Sequence, residues 1–170
     1  MRVLVTYASK HGSTHEVAER IALTIRDSGA VVETRTVSQV ADLSGFEAVV
    51  IGSSIYYGRW MREANEFVER NRSRLAGRMV WLFSVGPLGH QAKTEPREVV
   101  GFAGSIDIRG HQVFSGTLNA QQLSIVERAI VKGVKAEYGD FRDWSEIKTW
   151  AEEITRQLSD GRARPQAGAA

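Results

Sequence analysis

The stretch 7-YASKHGSTHEVAERIA-22 sets a short polar loop between an apolar strand and an amphipathic helix. Its residues are Ser9, Lys10, His11, Gly12, Ser13 and Thr14, and nearly all of them can donate a hydrogen bond. A helix starting here offers free backbone N–H groups and the positive end of its dipole to that loop. Both favour an anion, most often a phosphate. The hydroxyls of Ser9, Ser13 and Thr14 add donors, and Lys10 adds a positive charge. Gly12 permits close approach of the backbone or a positive φ. The pattern is neither G-x-G-x-x-G nor Gly-Lys-Ser/Thr, so it is neither a dinucleotide fingerprint nor a P-loop. Neutral donors outnumber cations, which suits a single phosphate monoester. A hydroxyl-rich turn that only caps the helix is the alternative reading.

Two further loops have the composition of a ligand site. The segment 52-GSSIYYGRW-60 offers Ser53, Ser54 and Ile55, then Tyr56, Tyr57 and Gly58. An aromatic ring there can stack on a flat heterocycle, and Gly58 frees the local backbone. The segment 84-SVGPLGHQAK-93 offers Ser84, Val85, Gly86, Pro87, Leu88 and Gly89, an irregular run whose amides can reach a ring edge. It holds no Trp or Tyr, so an aliphatic residue such as Leu88 covers the second face of a bound ring, or that face stays open to a substrate. The four histidines, His11, His15, His90 and His111, have no metal-ligand spacing. No metal site is expected.

The elements that must position these loops follow from hydrophobic period. Val3–Val5, Ala48–Ile51 and Met79–Phe83 are continuous apolar runs, which suit strands buried on both faces. The segment 31–37 alternates and suits an edge strand, and 111–118 reads as a further strand. Helical spacing marks Val17 to Ile25, stopped at Gly29, and Ala64 to Leu75. It also marks a segment starting near Pro96, Leu123 to Val134, and Ile147 to Leu158. Asp143 and Glu146 ahead of the last helix resemble a capping box. Alternating strands and helices predict an α/β fold: a three-layer doubly wound domain over 1–160, with ligands beyond the carboxyl ends of the strands. Residues 161–170, rich in Gly, Ala and Arg, read as a frayed tail.

The loop 9-SKHGST-14 resembles the phosphate loop of flavodoxins, T/S-x-T-G-x-T, with His11 where Thr is common. The resemblance implies a five-stranded parallel sheet of order 2-1-3-4-5 and FMN as the bound phosphate ester. All eighteen loop residues named above would then line the FMN site. Within that family the chain is similar to the branch that includes the menaquinone-dependent protoporphyrinogen oxidase. Gly52-Ser53-Ser54-Ile55 with Tyr57-Gly58, Phe83-Ser84-Val85 and 140-DFRDWSEIKTWAEEI-154 carry that similarity. So does an extra helical segment before the last helix, roughly 119–139. The resemblance implies an FMN oxidoreductase with a small-molecule redox substrate, protoporphyrinogen IX, and a quinone-type acceptor. The flavin would carry the chemistry itself, so no catalytic side chain is expected. The extra helix, apolar on one face and basic on the other, suits packing on its own domain, peripheral contact with a membrane, or a homodimer.

Composition narrows the function classes. The 170 residues carry 22 basic and 20 acidic side chains, a net charge of +2. No dense Lys/Arg block occurs, so nucleic acid is not an expected partner. A flavodoxin acting only as an electron shuttle is usually strongly acidic, and this chain is not. A pyridine-nucleotide quinone reductase would need a second nucleotide loop, and none is visible. There is no cysteine, which removes disulfides and thiol redox chemistry. Neither a secretory leader nor an apolar run of 18 residues is present, so a cytoplasmic protein is expected, at most peripheral to the membrane.

Overall fold

The structure, a computed structural model, describes residues 1–86, 96–102, 106–119, 121, 123–133 and 138–163. Five parallel strands form its centre: β1 (Arg2–Ala8), β2 (Val31–Thr36), β3 (Ala48–Tyr56), β5 (Met79–Val85) and β6 (Ile108–Phe114). They lie in the order β2-β1-β3-β5-β6. Counting parallel strands alone, this is the expected 2-1-3-4-5. A sixth strand, β4 (Arg59–Trp60), folds back antiparallel on β3.

Both faces of the sheet are covered, which is why its central strands are apolar throughout. Val3, Val5 and Val50 meet Val17, Ile21 and Ile25 of α1 (Ser13–Asp27) and Ile147, Ala151 and Ile154 of α5 (Trp144–Ala163). Leu4, Val49 and Leu82 meet Phe67 and Val68 of α2 (Arg62–Leu75) and Val99 and Phe102 of α3 (Arg97–Phe102). At the start of α5, Asp143 Oδ1 accepts from the Ser145 and Glu146 amides at 2.9 and 3.0 Å. That is the N-cap half of the expected box.

Four expectations change. The third strand does not stop at Ile51: Gly52 to Tyr56, read as loop, continue it, and the connection shrinks to the hairpin Tyr57-Gly58. Pairing with β1 and β5 carries the strand through Ser54, and pairing with β4 carries it on through Ile55 and Tyr56. The strand placed at 111–118 is Ile108–Phe114, and Thr117–Leu118 leave the sheet as β7. Gly116 marks the break; a Cβ there would lie 3.2 Å from Val85 Cγ1. β7 pairs antiparallel with β8 (Gly139–Asp140). The extra helix is α4, Ile125–Gly133, with Leu123 outside it and 8% exposed; Val134 lies outside the described residues. Finally, α5 runs through Ala163, three residues into the stretch read as tail.

Candidate functional site

Strand register builds the site. Ala8 pairs with Ser53, Ser53 with Ser84, and Ser54 with Val85. The ends of β1, β3 and β5 therefore lie in one row, and the segments that follow them emerge side by side. Parallel strands make this unavoidable, because all their carboxyl ends share one edge of the sheet.

The first loop closes on itself and on β3. Gly12 is the N-cap of α1 with φ 85°, a left-handed conformation that favours glycine. Its amide donates to Ser9 Oγ at 3.1 Å. Glu16 N bonds back to Gly12 O at 3.1 Å, so the amides before it start the helix and point out of it. Thr14 is fully buried, and its Oγ1 lies 2.7 Å from Ser54 Oγ. Ser13 Oγ accepts from the Thr117 amide at 3.2 Å. A hydroxyl that accepts in this way still has its own proton to give.

The two tyrosines have different surroundings. The Tyr56 ring lies against the first loop, with Lys10 Nζ 5.2 Å from its centroid and the His11 ring at 6.3 Å. Tyr57 and Gly58 both take positive φ, 50° and 73°, as a two-residue hairpin turn between twisted strands requires. Tyr57 is 81% exposed and stands at the tip. Ile55 faces Gly86, where a Cβ would come within 3.4 Å of Ile55 Cβ. Gly86 has φ 120°, and its amide donates to Phe114 O at 2.9 Å.

Ser53 and Ser84 use their hydroxyls inward. Ser53 Oγ donates to Ser54 O and accepts from the Met61 amide, both at 2.9 Å, fastening the hairpin to its own strand. Ser84 Oγ accepts from Trp60 Nε1 at 2.8 Å and lies 2.8 Å from His111 Nε2. Only the backbones of these two residues face the row of strand ends. Val85 is buried in the α1 side of the core. Pro87, Leu88 and Gly89, and with them the question of what covers a second ring face, lie outside the described residues.

Other contacts brace the site, and sequence reading missed them. Arg59 Nε donates to Glu98 Oε1 at 2.9 Å, tying the hairpin to α3. Burial works against the Glu98 charge, yet bonds from Arg59, from its own amide and from Trp60 N outweigh it and hold its carboxyl below the ordinary value. Arg142, with a side chain only 7% exposed, donates to Asp140 Oδ2 at 2.7 Å and to Glu16 Oε2 at 2.8 Å. Its hydrogen bond holds the Asp140 carboxyl low against partial burial. Tyr7, at the end of β1, bonds to His15 Nδ1, and burial, then Glu19, pushes its phenol up. Separations such as 104 residues between Ser13 and Thr117 leave no local pattern to find.

The arrangement fits a phosphate ester. A Cβ built on Gly12 meets nothing within 4 Å, so the loop is open on that side. The donors around it are hydroxyls and helix-start amides, with Lys10 the cation of the loop. Glu16, the acidic residue of the first helical turn, is neutralised by Arg142.

Comparison with known proteins gives the family and the fold. A family model described as "Flavodoxin domain" matches residues 4–145. Protoporphyrinogen IX dehydrogenase [quinone] of Escherichia coli (strain K12) is 21% identical, over 91% of this chain and 94% of its own. Among solved structures, a flavodoxin from the domain Archaea superposes with a TM-score of 0.66 at 16% identity, covering 94% of this chain and 99% of that one. A flavodoxin of Streptococcus pneumonia TIGR4 gives 0.65 at 16% identity, covering 92% and 99%.

Proposed function

We propose, because the chain belongs to the flavodoxin domain family, that it is an FMN-dependent oxidoreductase moving electrons from an organic substrate to a quinone-type acceptor. FMN is its cofactor, and when bound it supplies the electron acceptance and release that the protein side chains cannot. The Ser9, Ser13 and Thr14 hydroxyls and the amides at the start of α1 would hold the phosphate, with Lys10 adding charge. Tyr57 would cover one face of the ring, and Tyr56 would join the ring site to the phosphate loop. The backbones of Ser54, Ile55 and Gly86 would border the ring edge.

The observation that carries the enzymatic reading is the match to the Escherichia coli dehydrogenase, which covers 91% of this chain and 94% of that one. That relative's name gives protoporphyrinogen IX as substrate and a quinone as acceptor, and we adopt the same pair for this chain. A net charge of +2 supports this against a shuttle that finds basic partners by its acidity. Among the described residues no helix is long and apolar enough to cross a membrane. The exposed Ile125, with Arg128 and Lys132 on the same helix, suits peripheral contact with an anionic membrane that holds such an acceptor.

The test is anaerobic turnover of protoporphyrinogen by FMN-loaded protein with a menaquinone analogue. Flavin that is reduced by substrate and reoxidised by the quinone supports the proposal. Flavin that substrate leaves oxidised, but that exchanges electrons with redox proteins, replaces it with the carrier role. The phosphate assignment is tested separately by Ser13→Ala with Thr14→Ala. Two lost neutral donors at ~0.5–1.5 kcal/mol each should weaken FMN roughly tenfold or more. Riboflavin, which has no phosphate, should bind the variant and the parent alike; unchanged FMN affinity would refute the assignment.

A further inference from the structure

The stem of the extra segment touches the phosphate loop at one point and the first turn of α1 at another. Thr117 of β7 donates its amide to Ser13 Oγ at 3.2 Å. In an antiparallel pair, a residue opposite a non-bonded partner turns its N–H away from the ladder. Phe141 N donates to Gly116 O at 3.1 Å, so the ladder bond falls beside Thr117 and leaves its N–H for Ser13. Gly116 lies close to the same hydroxyl, since a Cβ there would be in van der Waals contact with Ser13 Oγ at 3.4 Å. The second point is Arg142. It leaves β8 next to Asp140, rests its guanidinium 4.5 Å from the Trp144 ring centroid, and reaches Glu16 in the first turn of α1.

We propose that β7 and β8 form a latch on the phosphate loop, so that binding of the FMN phosphate and pairing of this stem stabilise one another. The proposal rests on the FMN reading given above. Its basis is the shared hydroxyl and the shared charge. With Thr117 N–H on a lone pair of Ser13 Oγ, the hydroxyl is fixed in rotamer, polarised, and left with its proton for a phosphate oxygen. A phosphate that holds Ser13 in place presents Thr117 with a fixed acceptor in return. Arg142 acts through charge. When the stem is paired, it cancels the Glu16 carboxylate beside the anion site. When the stem opens, that carboxylate faces the phosphate uncompensated. Coupling of this kind is reciprocal by thermodynamic necessity.

Hydrogen exchange at the Thr117, Phe141 and Arg142 amides tests the latch. It is measured on the full chain without ligand, with inorganic phosphate, with riboflavin and with FMN, ligand binding being followed by flavin absorption. FMN and inorganic phosphate should slow exchange at these amides by about tenfold, and ring binding by riboflavin should not. Arg142→Gln should weaken FMN by a similar factor and leave riboflavin unchanged. FMN that binds without altering exchange at the stem overturns the latch and leaves the cofactor assignment intact. Equal protection by riboflavin and FMN, or equal loss of both in Arg142→Gln, also overturns it, because the stem would then respond to the ring or to general stability. Failure of FMN to bind, with inorganic phosphate still protecting the stem, sinks the functional reading and the latch as an FMN device, and leaves only coupling of the stem to a bound anion.

Discussion

Tyr57 shows what a single residue would contribute to the proposed site. Its φ of 50° is the left-handed region, which costs an L side chain about 1–2 kcal/mol. The turn needs that conformation, and Asn or Gly would adopt it at less cost. Keeping a tyrosine there leaves a large ring exposed at the mouth of the site. Replacing it separates the two roles. Tyr57→Gly should raise the stability of the ligand-free protein by roughly 0.5–1 kcal/mol in urea denaturation, after glycine's own entropic cost is counted. The same variant should shift the visible flavin bands and weaken FMN. A variant that loses stability, or a flavin spectrum that does not move, would count against the assignment. Both tyrosines were conspicuous in the sequence, but their different surroundings were not. Tyr56 meets Lys10 and His11 only because β1 and β3 are neighbours.

At the level of elements, the central strands are set by aromatic packing across the sheet. Gly52 pairs with Phe83, and the Phe83 ring lies over it; a Cβ at position 52 would sit 2.0 Å from Phe83 Cζ. Phe83 cannot yield easily, because its ring also meets Phe114 and Trp150 at centroid distances of 6.4 and 6.3 Å. Gly52→Ala should therefore cost at least ~1–3 kcal/mol of overpacking, read as a lower midpoint in thermal unfolding. The cap of α5 makes a smaller and separate contribution. Asp143→Ala removes the acceptor of two amides and should cost about 1 kcal/mol, while Asp143→Asn should restore most of it. That cap was legible from Asp143 and Glu146 because capping is local. Gly52 as a packing site was not, since its partner lies on another strand.

For the molecule as a whole, the carboxylates that brace the site contribute to stability against acid. Glu98 and Asp140 both have folded-state carboxyls held below their ordinary values by arginine partners. A group depressed in the folded state contributes stability above its unfolded value and loses it as pH falls through the folded one. Their contribution is thus complete at neutral pH and disappears as pH drops below the ordinary carboxylate range near 4. Glu98→Gln should flatten the acid side of the stability profile and leave the profile above pH 6 parallel to that of the parent. A difference between the two that grows above pH 6 would show that another group is responsible.

The sequence by itself determined the class of fold, and it singled out the sheet edge and the loop at which we propose that the FMN phosphate binds. Buried parallel strands must be apolar on both faces, so Val3–Val5, Ala48–Ile51 and Met79–Phe83 announce themselves, and Ser9 to Thr14 fall where a strand hands over to a helix. Periodicity, caps and turn residues are local properties that survive in one dimension. Tertiary structure alone decided that 52–56 is strand, because β1 and β5 supply the pairing partners of Gly52 to Ser54 and the return of β4 supplies those of Ile55 and Tyr56. It likewise decided that the hydroxyls of Ser53 and Ser84 turn inward, that Thr117 reaches Ser13, and that Arg142 cancels Glu16. Each of these depends on groups far apart in the chain, whose meeting follows from the register of the sheet and the path of the chain around it.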